Sequence, residues 1–353
     1  MRVAVFDTHS FDRRALEAAN QQFGHELVFY DTRLSEDTAT LARGFEAVCA
    51  FVNDRLDART IAALADEGVR LIALRSAGYN NVDLVAAETH EIPVVRVPEY
   101  SPYAIAEHTF ALLLALVRRI PRAASRVRDA NFSLDGLVGF DLHGKCFGII
   151  GTGKIGAAVA HIAHGFGCRL MGYDPRPNPE LAELGLRYVG LPELYRESAV
   201  ISLHVPLLPS THHLIEREAI AQMRDGVIIL NTGRGALIDS RALIDGLKSR
   251  KIGGAGLDVY EEEEGLFFRD LSDEVLQDDV LARLLTLRNV IVTSHQGFLT
   301  REALAAIAQV TLSNIQAFER GEALVNEVRA ENVVRPAPPP AASEPEATSK
   351  PVR

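Results

Sequence analysis

The chain has 353 residues, 47% of them hydrophobic and 24% charged, a size and balance that suit two compact cores and exclude a largely disordered protein. Its formal net charge of −10 argues against a general nucleic-acid binder, whose phosphate contacts need clustered Lys and Arg. Cys49, Cys146 and Cys168 lie far apart in apolar sequence and read as reduced core thiols, not as a disulfide frame or a zinc site.

The opening segment MRVAVFD turns acidic too soon for a secretory leader, and the apolar run from Ala104 to Val117 carries Glu107 and His108 and is too short to span a membrane. Both features predict a cytoplasmic protein with neither membrane nor nucleic-acid partners. In chain order, strands are expected at Val3–Phe6, Ala47–Phe51, Arg70–Leu74 and Pro93–Arg96, with a helix over Thr60–Glu67. A nearly uniform apolar helix follows from Ser101 to Arg119, with Pro102 near its start where a missing N–H costs little. Arg118, Arg119, Arg122, Arg126 and Arg128 read as one wet helix face, and Glu107 with His108 as an internal polar network.

A second alternation opens at strand Cys146–Ile150, continues as helix Ile155–Phe166 and strand Arg169–Tyr173, and adds strands at Ala199–Leu203, Val227–Leu230, Gly254–Leu257 and Val290–Thr293. Thr300 N-caps a last helix that Gly321 stops. The fold expected is α/β, with two doubly wound parallel-sheet domains. Residues 1–100 with 296–332 form a flavodoxin-like substrate domain, and 101–295 form a Rossmann domain inserted into it. Residues 333–353 are a Pro-rich tail with too little apolar area to offset chain entropy, and are expected to be disordered.

The loop Gly151-Thr152-Gly153-Lys154-Ile155-Gly156 joins an apolar strand to a helix, the setting in which glycines allow a tight turn, a close pyrophosphate and close helix packing. Asp174, ending the next strand, is spaced to accept hydrogen bonds from an adenosine ribose and to repel a 2′-phosphate, which favours NAD over NADP. Arg234 and His295 each follow an apolar strand, at the edge where α/β sheets bind ligands. An arginine there can hold a carboxylate with two parallel bonds. A histidine paired with a carboxylate can deliver a proton. The run Glu261 to Glu264 supplies four candidate partners, among which composition cannot choose. His161 and His164 lack a third ligand, His212 and His213 read as surface residues, and no metal is expected.

These motifs, with Ser202-Leu203-His204-Val205-Pro206, Asn231–Gly235, Gly256–Glu261, His295–Thr300 and the loop from Gly265 to Asp279, resemble the D-isomer-specific 2-hydroxyacid dehydrogenase family. The likeness runs from residue 1 to about 331 and is strongest to the fermentative D-lactate branch. It implies Arg234 as carboxylate anchor, His295 as proton donor and, five residues beyond Asp258, Glu263 as its partner. It also implies substrate contacts at Ala77, Gly78, Tyr100 and Phe298, with Phe51 shortening the pocket in favour of pyruvate. Gly151, Gly153, Lys154, Ile155, Gly156, Asp174, His204, Val205, Pro206, Thr232, Gly233 and Asp258 would line NAD. The expected activity is NADH-dependent reduction of pyruvate to D-lactate by a homo-oligomer. A larger 2-oxo acid such as phenylpyruvate or 2-oxoisocaproate is the alternative substrate, and an NAD-sensing scaffold or corepressor is the alternative of another class.

Overall fold

The structure, a computed structural model, describes residues 1–263 and 265–332, so the expectation for the tail falls outside the described residues, as does Glu264. Five short strands open the chain: β1 (Arg2–Val5), β2 (Glu26–Phe29), β3 (Ala47–Ala50), β4 (Leu71–Leu74) and β5 (Val94–Val95), paired in parallel in the order 5-4-3-1-2. Strands β3 and β4 are buried at every residue, as sheets covered on both faces require.

Helix Pro102–Val117 then leads into a second parallel sheet of β6 (Cys146–Ile150), β7 (Arg169–Tyr173), β8 (Arg187–Tyr188), β9 (Val200–Leu203), β10 (Val227–Asn231), β11 (Ile252–Leu257) and β12 (Val290–Val292). Their order, 12-11-10-9-6-7-8, reverses between β6 and β9 and so leaves a crevice at the carboxyl ends of those two strands. Ser101 caps the linking helix through the Ala104 N–H, and the helix lays Leu112, Leu113 and Leu116 against the second sheet. After β12 the chain returns: helix Arg301–Glu319, capped by Thr300 and ended by Gly321 at φ +67°, packs Ala308, Leu312 and Ile315 on the first sheet. Strand β13 (Glu327–Val328) closes that sheet antiparallel to β5. Both sheets have a core on each face, and all three cysteines are buried and unpaired.

Three strands escaped the sequence reading: β2, β8 and β13. All lie at sheet edges, where one neighbour suffices and burial leaves little apolar signature. The arginine-rich segment is not one helix face. The helix ends at Val117, Arg119 takes φ +54°, and a separate helix runs from Ile120 to Arg128. Arg122 donates to the Gly136 carbonyl and Arg126 to those of Ser133 and Asp135, which folds the next loop back as an arm. Glu107 is exposed, one residue and about 100° of helix rotation away from the inward-turned His108.

Candidate active site

Between the two sheets lies a cavity of about 620 Å³ whose walls come from strand ends of both. Phe51 follows β3, Ser76, Ala77 and Gly78 follow β4, Arg234 follows β10, and His295 follows β12; Tyr100, Glu263, Phe268 and Phe298 complete the reactive end. Residues from distant parts of the chain therefore meet because parallel strands present their carboxyl ends on one side.

His295 Nδ1 lies 2.9 Å from Glu263 Oε1, and Glu263 Oε2 accepts the Tyr260 N–H at 3.1 Å. This anchored carboxylate fixes the orientation of the ring. The histidine backbone has φ +54°, a costly conformation for a residue with a Cβ. Asp258 holds that turn in place. Its carboxylate accepts the N–H groups of Gln296 and Gly297, each at 2.8 Å, and the Thr293 hydroxyl at 2.5 Å, while its carbonyl takes the His295 N–H at 2.6 Å. His108 Nε2 adds a contact of 3.2 Å to the same carboxylate. Burial alone would raise the Asp258 pKa, but the bonds from His108 and Thr293 outweigh it and hold the group below its ordinary value.

Arg234 stands on a loop held by the buried Asn231, whose Nδ2 donates to the Arg234 carbonyl at 2.8 Å and whose Oδ1 accepts from Gly233 N–H at 3.1 Å. Arg234 Nη1 donates to the Gly233 carbonyl at 2.8 Å. Gly78 lies against the guanidinium, so a Cβ there would displace the end of the Arg234 side chain. Tyr100 beside it has its pKa raised by burial, with Arg234 pulling the other way.

Phe51, Phe268 and Phe298 close the far wall; the Phe51 and Phe268 rings meet edge to face at 5.2 Å, and Phe268 lies 6.0 Å from the His295 ring. The buried Arg75 guanidinium sits 4.8 Å above the Phe51 ring and pairs with Asp12 at 3.4 Å. Asp54, also lining the cavity, accepts the N–H groups of Leu34 and Phe51, both at 2.6 Å, and burial pushes its pKa up to about 7. The sequence reading missed Arg75, Asp54 and Phe268. Phe268 lay in a loop noted only for its overall likeness, and the other two looked like ordinary strand-flanking charges.

The glycine loop lies in the crevice between β6 and β9. Gly151 has φ +93°, and a Cβ there would strike the His204 carbonyl and the Val205 side chain, whereas the space beside Gly153 is open. Lys154 begins helix Lys154–Gly165, whose first N–H groups lack intrahelical acceptors, and a Cβ on Gly156 would strike the Gly151 carbonyl. Asp174 at the end of β7 accepts the Thr152 N–H at 2.7 Å and the Arg176 N–H at 2.8 Å. An open glycine cradle at a helix N-terminus with a strand-end carboxylate beside it fits the pyrophosphate and ribose of a dinucleotide. The Lys154 ammonium pairs with Glu99, and the Thr232 hydroxyl bonds that of Thr109 at 2.9 Å. His204 Nε2 lies 2.7 Å from Ser202 Oγ, and burial of the ring pushes its pKa down to about 3, so the imidazole is uncharged near neutral pH. Glu261, another of the four glutamates that composition offered as the histidine's partner, pairs instead with His213.

Residues 110–297 match the model of the NAD binding domain of the D-isomer specific 2-hydroxyacid dehydrogenases. The chain is 53% identical to D-lactate dehydrogenase of Escherichia coli over 93% of this chain and all of that one, and the apo structure of the E. coli enzyme superposes with a TM-score of 0.86. It is likewise 53% identical to a 2-hydroxyacid dehydrogenase homolog of Haemophilus influenzae, covering 92% of this chain and 98% of that one. The pyruvate reductase of Chlamydomonas reinhardtii superposes with a TM-score of 0.88 at 45% identity, over 92% of this chain and 98% of that one. Fold, glycine cradle and near full-length identity agree: the chain belongs to the D-isomer specific 2-hydroxyacid dehydrogenases and carries their NAD binding domain.

Proposed function

We propose that this chain reduces pyruvate to D-lactate with NADH. The observation that carries the reading is the His295–Glu263 pair, 2.9 Å apart, at the rim of a cavity that also holds Arg234. Arg234 binds the substrate carboxylate, with the backbone at Ala77 and Gly78 approaching from the other side. His295 donates the proton from Nε2 to the carbonyl oxygen as the alkoxide develops, and Glu263 stabilises the charged ring before transfer and keeps Nε2 aimed into the cavity. NADH, when bound, supplies the hydride. Gly151, Gly153 and the first turn from Lys154 to Gly156 hold the pyrophosphate, Asp174 the adenosine ribose, and His204 to Pro206, Thr232, Gly233 and Asp258 line the rest of the cleft. Phe51, Phe268 and Phe298 wall the cavity with apolar rings, against which the methyl group of pyruvate would pack.

The first sheet with the returning helix serves as substrate domain and the second as cofactor domain. Their approach closes the cavity and excludes water. The protein works in the cytoplasm as a homo-oligomer. The arm after helix Ile120–Arg128 supports the assembly, because Phe132, Leu134 and Val138 on it are 73 to 86% exposed, an apolar strip that a second copy would cover. A panel of 2-oxo acids with NADH and NADPH, with chiral analysis of the product, tests the reading. Pyruvate with NADH is expected to give the highest kcat/KM and D-lactate the product; phenylpyruvate ranking first, or an L-product, overturns it.

A further inference from the structure

His212, His213 and Glu261 lie outside the catalytic cavity, yet their possible ligand atoms fall within 4.8 Å of one another. His213 Nε2 is 2.5 Å from Glu261 Oε1. The backbone brings them together from two sides. His213 and Ile215 donate to the carbonyls of Ala236 and Leu237 at 2.8 and 3.0 Å, and Asp239 donates back to Ile215 at 3.0 Å, so the segment after β9 is zipped onto the turn that follows Arg234. Gly235 in that turn has no space for a Cβ because the Tyr260 carbonyl packs on it, which delivers Glu261 to the same place.

Two further features favour a ligand set over a simple ion pair. Glu261 Oε2 accepts the Ser240 N–H at 3.2 Å, the kind of outer bond that orients a metal-binding carboxylate. His213 takes φ +51°, a backbone strain that turns its ring onto that of His212 with centroids 3.9 Å apart. Among the described residues no hydrogen bond accounts for the His212 ring being held there. Two imidazoles and one carboxylate form a nitrogen-rich set that suits zinc-class ions and not calcium or magnesium, which take oxygen ligands.

We propose that His212, His213 and Glu261 bind a divalent transition metal of the zinc class, with water in the fourth position. Metal bonds of about 2.0–2.1 Å would require the donor atoms, now within 4.8 Å of one another, to close to a spacing of about 3.3 Å. The ion takes the place of the hydrogen bond between His213 and Glu261 and ties the segment after Pro206 to the loop that ends in Glu263.

The test is titration of the chelator-treated full-length protein with zinc chloride, followed by calorimetry and by the thermal midpoint, without NADH or substrate. Wild type and a His161→Gln, His164→Gln control are expected to bind one zinc per chain and to gain thermal stability. His212→Gln, His213→Gln and Glu261→Gln should each bind at least ten-fold more weakly and lose the gain. No zinc binding by the wild type, or binding by the three variants equal to it, overturns the proposal. His212→Gln alters only an exposed ring and keeps the test decisive if the other two variants fold poorly.

Discussion

His295 owes its position to a single buried carboxylate two elements away. Asp258 takes two backbone N–H groups and a hydroxyl around the φ +54° turn, and Glu263 then sets the ring. Among the described residues, His295 is the histidine that lines the cavity. His295→Ala is expected to lower kcat about 10²–10⁴-fold while the dissociation constant for NADH, measured by fluorescence quenching, stays unchanged. A variant with wild-type turnover would remove His295 from the chemistry. The residue scale is also where the sequence was ambiguous. Four consecutive glutamates look alike in composition; the family resemblance pointed to Glu263, and the fold sets Glu263 on His295 and Glu261 on His213.

At the scale of elements, the loops after β10 and β12 are held in the same way: a buried polar side chain, Asn231 at the end of β10 and Asp258 just past β11, satisfies loop backbone. In β10 that side chain is Asn231, 1% exposed and bonded to both Gly233 and Arg234. Asn231→Ala strands a part-buried carbonyl and an N–H, which costs about 1–3 kcal/mol. Because Arg234 then wanders, the KM for the 2-oxo acid should rise more than kcat falls, with NADH affinity kept. Denaturant unfolding and steady-state kinetics together check it; a stability loss with unaltered KM would show that the loop does not depend on Asn231. Strands β6 and β7 were legible to the residue because continuous apolar runs are bounded there by glycine and aspartate. Edge strands β2, β8 and β13 were not, since pairing and not composition defines them.

For the whole molecule, the ionisable group of greatest consequence beneath the cavity is Asp54. Burial raises its pKa from 3.8 to about 7 despite the nearby Arg75, so the folded chain keeps its proton to higher pH than the unfolded chain does. The sign follows: its stabilising contribution is complete below about pH 4 and is lost as pH rises through about 7. Asp54→Asn removes this slope, so between about pH 5 and pH 8 the variant should lose less stability than wild type, by up to about 2 kcal/mol in urea unfolding. Parallel pH dependences would show that Asp54 does not titrate in that window. The exposed arm gives the second expectation at this scale. Phe132→Glu should shift the mass measured by light scattering toward the monomer, and an unchanged mass would mean that the arm joins no second copy.

By itself the sequence determined the alternation of strands and helices, the glycine cradle with Asp174, and Arg234 and His295 at strand ends, since each is written in a contiguous stretch with its own periodicity or spacing. Only the tertiary structure decided what crosses between stretches: Asp54 and Arg75 beneath Phe51, Phe268 against His295, the arm folded by Arg122 and Arg126, and Glu261 turned to His213. The physical reason is that local hydrogen bonding and hydrophobic period act over a few residues, whereas burial and pairing of charge depend on which sheet edges and loops are brought to the same place.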